Sequence, residues 1–404
     1  MTVLMVAPYI YVKEWQEFTR NRTGFGIMVR DIFESVSKKE NTYILTQVIT
    51  RGHGRVVKHS WSDVFFSARF SDWKKGVKFF FRYKQDFKNR CKYFYYGLNA
   101  GTLVRKIREL KPDIVHIHGL RIQEKPFIDV CEELGVPYIV TLHGLNGLDE
   151  SVKVPQWDKD FEREFLLKAD KEGIPVTVIS SGMKTRIEKN YLLHNSGNIT
   201  VVCNGTTMKG YEKDNIEELD LREKYCQNGE KIVVVIGSLC ERKNQIQIVD
   251  AFATGIITTP CKVFFCGKDV TNNEVENRIK EYGLSDKIHL LGFVPQKIIV
   301  QVLNQADLNV VASRDEGFGL SIIEAYCQGV PTVTFSDLDA VPDLYSEDTM
   351  ITIDKRDTDE LARGIEKGLQ AEWDREKIKE YSKKFGLEET ADKYVSLYLQ
   401  YKRV

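Results

Sequence analysis

Short apolar runs, many ending in glycine, histidine or cysteine, alternate with stretches of helical period along nearly the whole chain. That alternation predicts parallel sheets wound in βαβ units. In the first half, strands are expected at 3–7, 43–48, 114–118, 138–142, 176–179 and 199–203. Helices are expected at 26–38, 97–110, 123–134, 158–171 and 182–191. A second series begins at Lys231, with strands at 232–237, 262–266, 288–291, 306–313 and from 332 onwards. Its helices fall at 244–253, 272–282, 296–304 and 357–370, with two more within 374–402. The pattern predicts an α/β protein of two successive doubly wound, Rossmann-like domains. Their expected bounds are 1–203 and 231–385, with a polar linker region at 204–230 and a C-terminal helix at 386–404 that packs back on the first domain.

Composition narrows the class. At 404 residues, 42% hydrophobic and 29% charged, the chain suits two ordinary globular domains. No apolar run approaches the ~18 residues of a membrane span. The apolar start, MTVLMVAPYI, lacks a basic leader and a small-residue cleavage site, so it reads as a first strand. Eight scattered cysteines, without a CxxC pair or zinc spacing, read as buried thiols of a reducing, cytoplasmic compartment.

The net charge of zero conceals an asymmetry. Residues 1–200 hold 32 Lys+Arg against 23 Asp+Glu, and the remainder 26 against 35. The basic excess concentrates between residues 65 and 96, where nine Lys/Arg interleave with aromatics. On a helix that mixture favours an anionic membrane surface, with Lys74, Lys75, Lys78 and Arg82 as membrane or acceptor candidates. The competing reading is a helix whose aromatics enter the core while its lysines face water. Nucleic acid is not expected, because no reader motif accompanies the basic residues.

The chemistry concentrates in RDEGFGLSIIEAYCQGVPTV, residues 314–333. A strand ends near Ser313, the turn Gly317-Phe318-Gly319 leads into a helix, and Gly329-Val330-Pro331 ends that helix before the next strand. Ligands of open α/β sheets bind at such carboxyl ends. The glycines permit close backbone approach, and the amides of Leu320 and Ser321 would form an anion site at the helix N-terminus. Glu316 and Glu324 bracket that site. Carboxylates on both sides of an anion pocket suit a ligand with hydroxyls at its ends and phosphate in its middle, the layout of a nucleotide-sugar.

Other strand ends add to this. Arg242-Lys243 follow the strand ending in Gly237, where two cations would neutralise a departing pyrophosphate. His143 follows an apolar strand as a hydrogen-bond or electrophilic partner. His116 and His118 point to one side of their strand and, lacking a third ligand, read as structural. Gly24 and Gly26 precede a helix but lack the full GxGxxG spacing. Asp337-x-Asp339 and Asp357-x-Asp359 read as loop carboxylates, and no metal site is expected.

With these residues in order, the chain resembles the retaining glycosyltransferases of family 4. The resemblance covers most of the chain and is densest over residues 201–333. It implies the GT-B fold, with two Rossmann-like domains facing a central cleft. Glu316 and Glu324 match the family's E-x7-E motif, implying contacts to donor sugar and ribose respectively. Phe318, Gly319, Leu320 and Ser321 match its backbone donors to sugar and phosphate, and Lys243 the lysine that meets pyrophosphate. Asn204-Gly205 looks like the family's interdomain junction, and Gly292-Phe293-Val294 like the loop bordering the base. Gly24 and Gly26 resemble the N-terminal glycine loop facing the diphosphate, and His143 the histidine near the reacting sugar. One departure stands out: Ser238 occupies the position where the family usually has arginine, leaving Arg242 as the candidate replacement.

The expected activity is transfer of a hexosyl group, with retention, from a nucleotide-sugar, UDP-linked first among them. The expected acceptor is a glycan or lipid-linked glycan of a surface polysaccharide, met at the inner membrane face. No cofactor or metal is required on this reading. The alternatives are a soluble acceptor, a UDP-sugar epimerase of the same fold, and a non-catalytic nucleotide-sugar binder.

Overall fold

The computed structural model describes residues 1–11, 24–46, 57–59, 62–65, 72–82, 87–149, 154–193, 196–206, 219–227 and 229–402. The chain divides into two compact units, Met1–Gly205 with Leu387–Val404, and Thr206–Gly386. Among the described residues each unit holds one sheet.

The first sheet comprises β1 (Thr2–Ala7), β2 (Asn41–Thr46), β3 (Val57–His59), β4 (Ser62–Phe65), β5 (Ile114–His118), β6 (Tyr138–Leu142), β7 (Val176–Val178) and β8 (Ile199–Val201). Its order is β3-β4-β2-β1-β5-β6-β7-β8. Every pairing is parallel except β3 with β4. The second sheet comprises β9 (Lys231–Ile236), β10 (Cys261–Cys266), β11 (Ile288–Gly292), β12 (Leu308–Val311), β13 (Thr332–Phe335) and β14 (Met350–Ile353), all parallel, in the order β11-β10-β9-β12-β13-β14.

Both orders reverse direction beside their first strand. β9 has β10 on one side and β12 on the other, and β1 lies between β2 and β5. The loops leaving the carboxyl ends of such strand pairs diverge and open a crevice.

Burial on both faces explains the unbroken apolar strands. In β9, Val233 and Val235 face a core containing Ile248, Phe265 and Leu361, while Ile232 and Val234 face Phe264, Val302 and Ala325. The first unit's core joins Met5, Val29 and Phe33 to Ala391, Tyr394 and Tyr398 of the helix Leu387–Tyr401. Tyr398 hydroxyl bonds His116 Nδ1 at 2.6 Å, and Thr390 Oγ1 donates to the Cys203 carbonyl at 3.0 Å. The last helix is therefore a structural part of the first unit.

Several elements differ from expectation. The helix expected to begin at 97 spans Phe87–Leu110, and a separate helix occupies Trp73–Arg82. The β3–β4 hairpin and edge strand β14 had not been expected. Within the stretch expected as linker, Leu221–Tyr225 forms a helix capped by Asp220, whose side chain accepts from Glu223 N. Leu221 is fully buried, and its amide donates to Gln305 Oε1 at 2.7 Å, so this part is built into the second unit. Residues 207–218 and 228 of that stretch, and 47–48 of an expected strand, lie outside the described residues. No helix among the described residues is long and apolar enough to cross a membrane.

The second sheet's ligand end depends on a close backbone approach. A Cβ built on Gly267 would lie 2.0 Å from the Gly237 carbonyl oxygen, between the ends of β9 and β10. Gly267→Ala must part these two backbones, so it should lower unfolding stability by at least the ~1–3 kcal/mol typical of overpacking. A urea melt with an unchanged midpoint would refute that close approach.

Candidate active site

The second unit gathers its chemistry at the reversal between β9 and β12. After β9 the chain turns through Gly237, at φ 133, into a short 3₁₀ turn, Glu241–Lys243. After β12 it runs through Ser313 to Gly319, whose φ of 75 sets up the helix Leu320–Cys327. That left-handed conformation is one an L side chain adopts only at a cost.

Lys243 Nζ donates to Glu316 Oε2, and Arg242 lies 3.7 Å from the same oxygen. Arg242 also donates to the Asp315 carbonyl at 3.0 Å, while its own carbonyl accepts from Arg314 N at 2.8 Å. Burial pushes the Glu316 carboxyl up, but Lys243, Arg242 and the Gly319 amide outweigh it and hold its pKa below the ordinary value. Glu324 has no such partner. Burial raises its pKa, opposed only in part by Gln296, whose Nε2 donates to Oε1 at 2.6 Å, and by the charge of Lys243.

Between the glutamates lies a donor array. The Leu320 and Ser321 amides occupy the first turn and have no intrahelical acceptor. Ser321 Oγ is buried without a hydrogen-bond partner. An unsatisfied buried hydroxyl beside free amides is costly unless a ligand completes it. Phe318 offers only its backbone, because its ring is buried against Phe385. Val294 packs at the edge of the core, one residue before the Pro295-Gln296 step that reaches Glu324. The structure therefore brings Arg242, Lys243, Glu316, Gly317, Gly319, Ser321 and Glu324 into one strand-end region, with Val294 bordering it through Gln296.

The first unit gathers a separate cluster. Gly24 and Gly26 open the helix Gly24–Ser37, and Phe25 between them packs edge-on against His143 at 5.1 Å. His143 Nε2 bonds His118 Nδ1 at 3.0 Å. Neither His118 Nε2 nor His143 Nδ1 has a partner. Burial pushes the His143 pKa down to about 3 and that of His118 well below the ordinary value, so both stay neutral near pH 7. His116 is structural, held by Tyr398 and by Thr141 Oγ1 at 2.6 Å.

Three of the four basic candidates of the Trp73–Arg82 helix are paired with acids. Lys75 and Lys78 lie 2.6 and 3.6 Å from Glu133, and Arg82 lies 3.1 Å from Asp129. Lys74 is exposed. The same helix exposes Trp73, Val77 and Phe81 at 51%, 45% and 70% along one face.

Two site residues, Gln296 and Arg356, escaped sequence reasoning, and a third, His118, was expected to be structural only. Gln296 holds Glu324, and His118 orients His143. Arg356 braces the loop after β12 through the Ser313 carbonyl at 2.9 Å and the Arg314 carbonyl at 3.2 Å, while paired with Asp337. None belongs to a local motif; each acts over a large sequence separation. Asp357 caps the helix Thr358–Gln370.

Comparison with known proteins gives two family matches: Glycosyltransferase Family 4 over residues 48–208, and Glycosyl transferases group 1 over residues 217–385. Alpha-monoglucosyldiacylglycerol synthase of Acholeplasma laidlawii is 24% identical over 256 residues, 61% of this chain and 63% of that one. The matches span 27% to 63% of the lengths of the foremost curated relatives. Sucrose-phosphate synthase from Thermosynechococcus elongatus superposes with a TM-score of 0.74 at 17% identity, covering 99% of this chain and 98% of that one. Anabaena HepE, solved with UDP and glucose, gives 0.65 at 15% identity, covering 99% and 100%.

The two glutamates should respond oppositely to charge removal. A raised folded-state pKa means that Glu324 costs stability at neutral pH and less as pH falls. Glu324→Gln should therefore raise the urea midpoint at pH 7, with a gain that shrinks on acidification. The lowered pKa of Glu316 contributes stability above its ordinary value of 4.5 that is lost as pH falls through the folded value. Glu316→Gln should cost about 1–3 kcal/mol at pH 7. Shifts of the same sign in both variants would contradict this electrostatic division.

Proposed function

The chain belongs to glycosyltransferase family 4, with the GT-B fold, and on that premise we propose that it is a retaining hexosyltransferase using a UDP-sugar. The observation that carries this reading is the half-buried Glu316, clasped by Lys243 and Arg242 beside the unsatisfied Ser321 hydroxyl. Cations, helix amides and a carboxylate meet there within one strand-end region, matching the alternating charge of sugar, diphosphate and ribose. The UDP complex of a structural neighbour supports the choice of nucleotide.

On this reading the second unit holds the donor. Lys243, with three ammonium protons, keeps Glu316 on one side and meets the diphosphate on the other, while Arg242 stands in for the arginine absent at Ser238. The Leu320 and Ser321 amides and the Ser321 hydroxyl bind phosphate oxygens. Gly24 and Gly26, which open the helix Gly24–Ser37, are the first unit's candidates for close backbone approach to a phosphate. Glu316 orients the sugar and Glu324 accepts from the ribose hydroxyls. Charge growing on the leaving diphosphate is stabilised by donors already in place, which is the largest expected rate term. The departing phosphate oxygen takes the proton of the acceptor hydroxyl as the new bond forms on the face the diphosphate leaves, so the anomeric configuration is kept. Neutral His143, steadied by His118, is the first unit's candidate hydrogen-bond partner for a sugar. The leaving-group step as proposed draws on no metal.

The acceptor is proposed to be a glycan or lipid-linked glycan of a surface polysaccharide, met at the cytoplasmic membrane face. The name of the Acholeplasma relative, alpha-monoglucosyldiacylglycerol synthase, supports a lipid acceptor. So does the exposed Trp73, Val77 and Phe81 face, where aromatic and aliphatic groups suit the headgroup boundary better than water. The paired lysines beside it shift the weight of the membrane contact from charge to these apolar side chains.

Two measurements test this reading. By calorimetry, Glu324→Ala should weaken UDP binding about tenfold, the worth of a charge-assisted hydrogen bond. Glu316→Ala should leave UDP affinity intact or improved, by releasing Lys243, while turnover falls by about 10²-fold or more. Equal loss of UDP affinity in both would refute the separate roles, and a product of inverted configuration would refute retention. In flotation with phosphatidylglycerol vesicles, Trp73→Ser with Phe81→Ser should abolish binding, whereas Lys75→Gln should reduce it little. The reverse ranking would return the contact to charge.

A further inference from the structure

A pocket of about 200 Å³ lies in the first unit, away from the histidine cluster's own contacts. Three segments build it: the helix Phe87–Leu110, residues 121–123 beyond the carboxyl end of β5, and the start of the helix Gln156–Glu172. It lies at the ligand end of a parallel sheet, next to the strand pair where the order reverses. Its volume falls below the roughly 300–1,000 Å³ usual for drug-sized ligands, and so suits a single ring.

The lining is of two kinds. Tyr93 is buried, whereas Tyr96 and Trp157 are half-buried. These aromatic surfaces carry negative faces that attract the weakly positive C–H groups of a pyranose. Buried Asp158 accepts from the Ile122 amide through Oδ1 at 2.9 Å, and its charge interacts with those of Arg121 and Lys92. At the rim stand two exposed cations, Lys92 and Arg121. Lys92 Nζ lies 5.2 Å from the Trp157 ring centroid, and Arg121 Nε donates to the neutral Asn146 Oδ1 at 3.1 Å.

The contrast with neighbouring cations is informative. Lys75, Arg82 and Lys125 are each neutralised by a carboxylate of the helix Lys125–Leu134. Among the described residues, Lys92 and Arg121 have no carboxylate within ion-pairing distance.

We propose that this pocket binds an anionic hexopyranoside as the acceptor-side sugar, its ring against Trp157 and Tyr96 and its carboxylate or phosphate between Lys92 and Arg121. The inference rests on the glycosyltransferase reading for the word acceptor, but not for the binding itself. Ring stacking supplies affinity without charge selectivity. The cation pair supplies discrimination, because the single carboxylate charge of Asp158 offsets only one of the two positive charges and an anionic sugar completes the balance.

Tryptophan fluorescence of the full chain, titrated with glucose 6-phosphate, methyl β-glucuronide and methyl β-glucoside, tests this. Both anions should perturb a signal that Trp157→Phe removes, and the neutral glucoside should bind about tenfold more weakly, as expected for loss of a charged hydrogen bond. The stronger anion identifies phosphate or carboxylate as the natural group. Lys92→Gln and Arg121→Gln, both at exposed positions, should weaken the anions and leave the glucoside unchanged. The proposal is overturned if glucoside binds as tightly as the anions, if both variants bind anions normally, or if inorganic phosphate matches glucose 6-phosphate. A parallel UDP titration separates the two readings: lost UDP binding with sugar binding intact removes the donor-site reading alone. Intact UDP binding with no response to any sugar removes this pocket alone.

Discussion

Glu316 is withdrawn from water and stays ionised because Lys243 and Arg242 reach it from the loop of the adjacent strand. Removing such a group from solvent costs several kcal/mol, recovered only when the partners' geometry is good. The arrangement therefore constrains everything around it. It holds the loops after β9 and β12 at a fixed spacing, reinforced by the Arg314 amide on the Arg242 carbonyl and by Arg356 on the other side. It requires Gly237 and Gly267 to pass closely, so that Lys243 can lie over the turn. It also leaves the first-turn amides of the helix Leu320–Cys327 uncommitted, because the nearby carboxylate is already balanced. A site for an anion is thereby kept from closing on its own acid.

The two units were legible in the chain because parallel strands buried on both faces write unbroken apolar runs. Ile114–His118 and Tyr138–Leu142 have the bounds that their sequence suggests. Short elements at the edges of the sheets were not legible. Edge strand β14 has only four residues, and the β3–β4 hairpin lies at the far edge of its sheet. The start of the helix Phe87–Leu110 was obscured because its aromatics mix core and surface positions.

The site divides in the same way. Glu316, the glycine turn and Glu324 occupy one strand-turn-helix unit, so their meeting could be read from spacing. Arg242 and Lys243 stood out by their strand-end position. Gln296, Arg356 and His118 act through contacts made 28, 43 and 25 residues away, which no local pattern encodes. The basic run near residue 80 shows the opposite error. Composition announced a charged surface, but Glu133 and Asp129 lie on a helix some fifty residues further on and take up much of that charge.

The helix Leu387–Tyr401 completes the first unit although the whole second unit precedes it in the chain. His116 waits for Tyr398, 282 residues later, which at ~5–20 residues per second is a delay of roughly 15–60 s during synthesis. The second unit, continuous in the chain, can close before the first is finished. On the ribosome the order of completion is thus inverted, and the nascent first unit holds an open groove lined by His116, Thr141 and Met5 while it waits. A ribosome that stops before Leu387 would release an intact second unit attached to a first unit lacking one wall of its core.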